Sequence, residues 1–153
     1  MSETQPTFSI EKLYVKDLSL EIPNAPQVFM QADTPQLEVK VHNEANKFGD
    51  GLYEVVVTVT VTAKAGDKTM FLAEAAQAGI FAIRNVPENE INPLLGIVCP
   101  TVVYPYVRET ISDLITRGGF PPVLLSPVSF EALYAQRLQQ AQQPAGPKIE
   151  IAS

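Results

Sequence analysis

The segment that most constrains the fold of this chain is LYEVVVTVTVT, residues 52–62. From Tyr53 onward, apolar side chains occupy every second position, and the positions between them are polar except for Val56. A period of two is typical of a β-strand with one buried and one wetter face, and β-branched residues suit such a pleated surface. We predict a half-buried strand at the centre of a sheet. Its buried side carries Val55, Val57, Val59 and Val61, and its polar side carries Glu54, Thr58, Thr60 and Thr62.

Three further segments predict the rest of this sheet. Residues 69–83 return after the turn at residues 65–67 and are too long and too apolar for a loop, which indicates a hairpin. Residues 8–22 and 36–43 alternate apolar and polar side chains, and a polar, Gly-containing turn over residues 44–51 leads into the hairpin. We predict an α+β fold with a four-stranded antiparallel sheet and a crossover after the first strand.

The residues that follow the sheet predict helices packed on one of its faces. Pro87 and the acids after it suit a first helical turn, and Gly118-Gly119 suits the end of a longer helix. Ser126 or Ser129 is placed to cap a last helix. The apolar positions of the longer helix recur at helical spacing, at Val103, Val107, Ile111, Leu114 and Ile115.

Length and composition predict one domain with too little polar surface for a lone monomer. We expect a flexible start at residues 1–7, a single folded domain at residues 8–138, and a mobile tail at residues 139–153 that is rich in Gln, Ala, Pro and Gly. Charged residues make up 18% of the chain and hydrophobic ones 46%. Because an ordinary soluble domain has about 25% charged residues, we expect an oligomer or an apolar binding surface.

The formal net charge of -6 argues against nucleic acid or an anionic membrane as a partner, since both require clustered Lys and Arg. A basic protein is a more suitable partner for a chain of this net charge. The first residues, MSETQPT, lack the positive start and the apolar run of a secretory signal. The uncharged stretch at residues 91–107 is shorter than a usual membrane span and is interrupted by Pro93, Pro100 and Pro105. We therefore expect a cytoplasmic protein without direct membrane insertion.

Residues that could carry catalysis are scarce. The chain has one histidine, His42, on the polar side of a predicted strand, and one cysteine, Cys99, in an apolar run typical of a packing residue. No group of His, Cys and acids has metal-ligand spacing, and no Gly-rich loop precedes a helix. We expect no enzyme activity, no ATP hydrolysis, no cofactor and no metal site.

Four segments in this order resemble the SecB family of bacterial export chaperones: KDLSLEIPNAPQVF, YEVVVTVTVTA, FLAEAAQAGIFAI and CPTVVYPYVRETISDLITRGGFPPVLLSPVSFEALY. The resemblance covers residues 8–134. It implies a chaperone that holds unfolded precursor proteins in the cytoplasm and delivers them to SecA, the motor of the Sec translocon. It also implies a homotetramer, a dimer of dimers in which long helices lie between two extended sheets.

The resemblance further implies roles for particular residues. The contact surface for SecA falls on Asp17, Glu21, Leu72 and Glu74, and strand parity already places both Asp17 and Glu21 outward. The client-binding surface falls on two apolar loops, on Val28, Phe29 and Met30, and on Phe120, Pro121, Val123, Leu124 and Leu125. Residues tied to assembly are Ala73, Ala75, Gln77, Val103 and Val107.

Two alternatives remain open at this stage. Some SecB-like proteins serve as chaperones for antitoxins, although the acidic surface favours the export role. A protein of a different class, a carrier of a small apolar ligand such as a lipid, would also need apolar surface between helices and a sheet. Native mass spectrometry with an unfolded precursor and with SecA distinguishes these functions.

Overall fold

One antiparallel sheet organises the protein. The computed structural model describes residues 5–31 and 34–142. The strand order is β1-β4-β3-β2, and each neighbouring pair is antiparallel. Because β1 and β2 lie at opposite edges, the chain between them crosses the sheet, which confirms the predicted topology. The strands are β1 (Thr7–Glu21), β2 (Gln36–Gly49), β3 (Leu52–Ala65) and β4 (Lys68–Arg84).

The predicted central strand is β3, which lies inside the sheet between β2 and β4. All four valines of its buried parity are fully buried against the helix side. The chain turns at Gly66, whose φ of +62° favours glycine, and returns as β4. The hairpin predicted from the alternating pattern is therefore confirmed.

The predicted turn over residues 44–51 is wrong, because β2 continues to Gly49 and only Asp50 and Gly51 form the turn. Charged and amide side chains in this stretch suggested a loop. An edge strand with one solvated face tolerates them, since the backbone still pairs in register with β3. Lys47 lies opposite Tyr53, and its ammonium is 5.9 Å from the centre of the tyrosine ring.

The link between β1 and β2 contains a short 3-10 helix at Gln27–Met30, where the sequence predicted only a connecting loop. The side-chain amide of Asn24 donates a hydrogen bond of 2.9 Å to the carbonyl oxygen of Thr69. Val28 is buried in the core. The crossover is thus attached to the end of the sheet beside β4.

The helices form one layer on the sheet, as predicted. They are α1 (Glu88–Pro93), a π-helical turn (Leu94–Val98), α2 (Cys99–Arg117) and α3 (Phe130–Gln142). Helix α2 lies over β3 and β4 through four fully buried side chains, and Gly118 ends it. Gly119 follows with a φ of +89°, a conformation that favours glycine. These four side chains, each 0% exposed, belong to Val103, Val107, Ile111 and Ile115.

Helix α3 packs mainly on the π-helical turn, and the guanidinium of Arg137 donates a 3.1 Å hydrogen bond to the side-chain oxygen of Asn43 on β2. Of the two candidate caps, Ser129 is the one used, since its hydroxyl oxygen accepts a 3.2 Å hydrogen bond from the amide of Ala132. The ring of Tyr134 fills the space beside Gly96, where an added Cβ would lie 2.5 Å from a ring carbon. The helix continues to Gln142, past the domain boundary predicted at 138. The rest of the predicted tail and residues 1–4 lie outside the described residues.

Candidate functional site: two protein-binding surfaces

The outer face of the sheet, opposite the helices, brings together the four residues predicted to contact SecA. Glu21 on β1 lies directly opposite Leu72 on β4, and Ser19 lies opposite Glu74. Neighbouring strands are roughly 4.8 Å apart and alternate residues roughly 6.6 Å apart, so these side chains share one small region. Asp17 and Glu21 are exposed, whereas Leu72 and Glu74 are half-buried. We call Asp17, Glu21, Leu72 and Glu74 the acidic patch.

The nearest lysine in sequence, Lys16, does not neutralise this patch. Its ammonium contacts the two carboxylate oxygens of Glu54 at 2.9 and 3.0 Å. The hydroxyl of Tyr14 also donates a hydrogen bond to Glu54. Tyr14 reaches Glu54 across β4, where the residue opposite it is the small Ala78. The charge of Lys16 is therefore directed toward β3 and away from Asp17.

This cluster perturbs two pKa values. The hydrogen bond from Tyr14, followed by that from Lys16, holds the pKa of the Glu54 carboxyl below its ordinary value. The same bond to Glu54, with a smaller effect of burial, raises the pKa of Tyr14 to about 12. Glu54 is therefore ionised at neutral pH, and its charge is balanced locally by Lys16.

The crossover surface predicted to bind clients divides into a buried and an exposed part. Val28 is 2% exposed and belongs to the core, whereas Phe29 is 47% and Met30 is 87% exposed. The ring of Phe29 stacks on that of Phe120 with 5.2 Å between the ring centres. Gly119 permits this approach, since an added Cβ there would lie 3.1 Å from the Phe29 ring.

The loop between α2 and α3 also has a buried part and an exposed part. Phe120 and Leu125 are buried, Val123 is half-buried, and Pro121 and Leu124 are exposed, with Leu124 at 84%. The ring of Phe120 also contacts that of Phe71 on β4, with 4.8 Å between the ring centres. Farther along the loop, the hydroxyl of Tyr104 donates a 2.6 Å hydrogen bond to the carbonyl oxygen of Ser126. The two loops therefore meet at the Phe29–Phe120 stack.

Three of the residues predicted to bind clients are buried in this structure. Val28, Phe120 and Leu125 have their side chains in the hydrophobic core of their own chain. They fix the loops in place and offer little surface to another polypeptide. The predicted residues that stay exposed or half-buried are Phe29, Met30, Pro121, Val123 and Leu124, which we call the loop surface.

The residues predicted at the oligomer interface also lie inside one chain. Ala73, Ala75 and Gln77 are on the β4 face covered by helices, and each is at most 5% exposed. Val103 and Val107 are fully buried in the core beside them. These five side chains are therefore enclosed within their own chain, and their role in assembly stays a prediction.

An apolar row on the edge strand β1 was not anticipated. Its residues share the helix side of the sheet, but α2 covers β3 and β4 and leaves β1 largely open. The alternation in residues 8–22 predicts one apolar side for this strand, and Leu18 lies on that side but is 46% exposed. Exposures in the row range from 38% to 47%, for Phe8, Ile10, Val15 and Leu18.

Cys99 is fully buried, and burial raises the pKa of its thiol to about 12. The thiol is therefore protonated at neutral pH and closed to solvent, which agrees with the packing role expected for it.

No helix among the described residues is both long enough and apolar enough to cross a membrane.

A charged sheet face, an apolar loop surface and an open apolar edge together define a protein-binding module. Comparison with known proteins specifies it further: the family model described as "Preprotein translocase subunit SecB" matches residues 1–141. The chain therefore belongs to the SecB family, and it is a chaperone of protein export. This family is a class of chaperones and not of enzymes.

Curated relatives match this chain over nearly its full length. A protein named "Protein-export protein SecB" from Methylobacillus flagellatus is 62% identical over 138 residues, which are 90% of this chain and 88% of that protein. Proteins of the same name from Chromobacterium violaceum and Nitrosospira multiformis are 57% and 55% identical, over 92% and 95% of this chain and 94% and 92% of theirs.

A solved structure supports the fold. A SecB-like chaperone of Mycobacterium tuberculosis, solved in complex with a peptide from an antitoxin, superposes with a TM-score of 0.64 at 17% identity. The superposition covers 79% of this chain and 90% of that one. At this identity the likeness concerns the fold alone, and it confirms the SecB-like architecture predicted from the sequence.

Proposed function

We propose that this chain holds unfolded precursor proteins in the cytoplasm, without using ATP, and delivers them to SecA as a homotetramer. The observation that carries the proposal is the division of each loop into buried anchors and exposed apolar residues. Met30 and Leu124 keep more than four fifths of their surface in solvent, at 87% and 84%, while their neighbours Val28 and Leu125 are buried. A loop that is anchored yet keeps large apolar side chains outside is suited to binding apolar segments of another chain.

The energetics of such binding favour many weak sites. A client segment of about ten residues gains roughly 2 kcal/mol for each large side chain that it buries. Ordering the segment opposes this by about 1 to 2 kcal/mol per residue, so one loop surface alone holds a client poorly. Repetition of the loop surface in an oligomer allows a long unfolded chain to bind by avidity. Folded proteins, whose apolar groups are internal, are not retained.

The acidic patch is the proposed docking surface for SecA. On the outer face Leu72 lies beside Glu21 and Glu74, and Asp17 lies beside Ala76, two rows farther along the sheet. Lys16 is directed to Glu54 instead of to the patch. A basic, compact protein surface with an apolar centre is complementary to this arrangement. Because the patch and the loop surface lie on opposite sides of the sheet, client and SecA can bind to one chaperone at the same time.

Assembly into a tetramer is supported by the apolar row on β1. Phe8, Ile10, Val15 and Leu18 are each more than a third exposed on a strand whose outer edge has no neighbour among the described residues. A second copy would cover part of this surface, and the low share of charged residues agrees with such cover. In the same scheme Ala73, Ala75 and Gln77 act indirectly, because their size sets the height of α2 above β4.

Native mass spectrometry tests this function most directly. We expect a tetramer that binds a reduced, unfolded precursor and also binds SecA. The matched control is the same precursor with its native fold intact, for which we expect no complex. Equal binding of folded and unfolded precursor would contradict selection for the unfolded state. A monomer that retains a stoichiometric lipid would instead identify a carrier of small apolar ligands.

A further inference from the structure

One residue of the acidic patch is held by a side chain outside it. The hydroxyl of Thr60 on β3 donates a 2.8 Å hydrogen bond to Oε2 of Glu74 on β4, and the two residues are directly opposite each other in the strand register. Both side chains are half-buried. A hydroxyl bonded to a carboxylate at this distance is a charge-assisted hydrogen bond, which is stronger than a neutral one.

This bond is particular to Thr60. Two other threonines, Thr58 and Thr62, face outward on the same strand, but their partners on β4 are Ala76 and Leu72, neither of which accepts a side-chain hydrogen bond. A β-branched threonine has few rotamers, so its hydroxyl stays in one place once the strand is formed. Glutamate, in contrast, has several rotatable bonds and loses much conformational entropy when it is fixed.

We infer that Thr60 is a positioning residue for recognition of the basic partner: it orients the carboxylate of Glu74 before the partner binds. This inference rests on the proposed docking of SecA at the acidic patch. With Oε2 engaged by Thr60, the second oxygen of Glu74 keeps its acceptor capacity for a Lys or Arg of the partner. The side chain then does not have to be ordered during association, which strengthens binding without adding a contact.

Replacement of Thr60 by valine tests this role, because valine keeps the shape and the preference for a strand but has no hydroxyl. We expect Thr60→Val to weaken SecA binding by about fivefold to tenfold, where tenfold corresponds to about 1.4 kcal/mol. Thr60→Ser retains the hydroxyl, and we expect it to restore most of the affinity. Thr58→Val is the matched control on the same face and strand, and we expect it to leave the affinity unchanged. Isothermal titration calorimetry gives the affinities.

Two further readouts separate positioning from a structural effect. We expect Thr60→Val to bind an unfolded precursor as tightly as the unchanged chain and to lower the unfolding temperature by no more than about 4 °C, the effect of losing one hydrogen bond. In a Glu74→Ala background, removal of the Thr60 hydroxyl should have no further effect on SecA affinity, since nothing remains to be positioned.

The outcomes distinguish this inference from the function on which it rests. If Glu74→Ala weakens SecA binding and Thr60→Val does not, the positioning role is wrong and the docking surface stands. Tighter binding of Thr60→Val would also overturn the inference, because it would mean that the hydrogen bond competes with the partner. If Glu74→Ala leaves SecA affinity unchanged, both the docking at this patch and the role of Thr60 are wrong.

Discussion

The two sides of the sheet present binding surfaces of different construction. On the outer face, charged and polar side chains hold one another across strands, as Thr60 holds Glu74 and Glu54 holds Lys16. On the helix side, the exposed apolar residues lie on loops and on an edge strand. Buried neighbours such as Phe120 hold the loops in place. The arrangement of charges on the outer face is thus fixed by the strand register. On the helix side, a single chain does not have enough structure to cover all of its apolar side chains.

This difference matches the partners proposed for each side. Charges fixed by register suit one folded partner with a fixed arrangement of basic groups. Apolar side chains on loops, including the flexible thioether of Met30, adapt to segments of varied sequence. A chaperone needs both properties, because it must bind many clients and still deliver them to one receiver.

The largest effect is expected from the loop anchors, and it tests whether anchors and exposed residues are separate. Phe120 packs between Phe29 and Phe71, so Phe120→Ala should lower the free energy of unfolding by about 3 kcal/mol. Leu124→Ala, the matched exposed change in the same loop, should alter it by less than about 0.5 kcal/mol while weakening binding of unfolded precursor. Urea unfolding followed by circular dichroism, with client binding measured in parallel, checks both. Similar destabilisation by the two variants would refute the separation.

A smaller effect tests whether the two surfaces act independently. Glu74→Lys reverses a charge in the acidic patch and also breaks the bond from Thr60, so we expect SecA binding to weaken about 100-fold, or about 2.7 kcal/mol. Binding of unfolded precursor should not change. Affinities measured by calorimetry for SecA and by fluorescence anisotropy for a labelled unfolded precursor make the comparison.

The control for Glu74→Lys is Glu44→Lys, which makes the same charge change on β2. Glu44 is exposed on the same face but lies two strands away and two rows along the sheet, beyond about one Debye length from Glu74. It should reduce SecA affinity by less than about twofold. If Glu74→Lys weakens both partners equally, the surfaces have been assigned wrongly.

The sheet could be predicted from the sequence because its signal is local. A strand places alternate side chains on opposite faces, so the parity of residues 52–62 was enough to identify the buried valines and the outward threonines. The same parity placed Asp17 and Glu21 outward. The strand β2 was underestimated for a related reason: its last residues are polar, and only their pairing with β3 shows that they belong to the sheet.

Loops carry no such period, so their exposure could not be predicted. Val28, Phe29 and Met30 are adjacent apolar residues, yet their exposures are 2%, 47% and 87%, because only the fold decides which one meets the core. The openness of β1 depends on where α2 lies, which is equally non-local. The engagement of Lys16 by Glu54 joins residues 38 positions apart, and no spacing rule indicates it.

The smallest expected effect tests whether Glu54 protects the acidic patch. Glu54→Gln removes the charge that holds Lys16, which is then free to approach its neighbour Asp17. We expect SecA affinity to fall about twofold to threefold, while Glu44→Gln leaves it unchanged.

Glu54→Gln should also lower the pKa of Tyr14 from about 12 toward its ordinary value. Because the folded pKa of Tyr14 is raised, its stabilising contribution is complete below pH 10 and is lost as the pH rises through about 12. Phenolate absorbance, with Tyr14→Phe subtracted to isolate this residue, follows the titration. An unchanged titration of Tyr14 would show that Glu54 does not hold the cluster together, and the outer face would then be less fixed than the comparison with the loop surface requires.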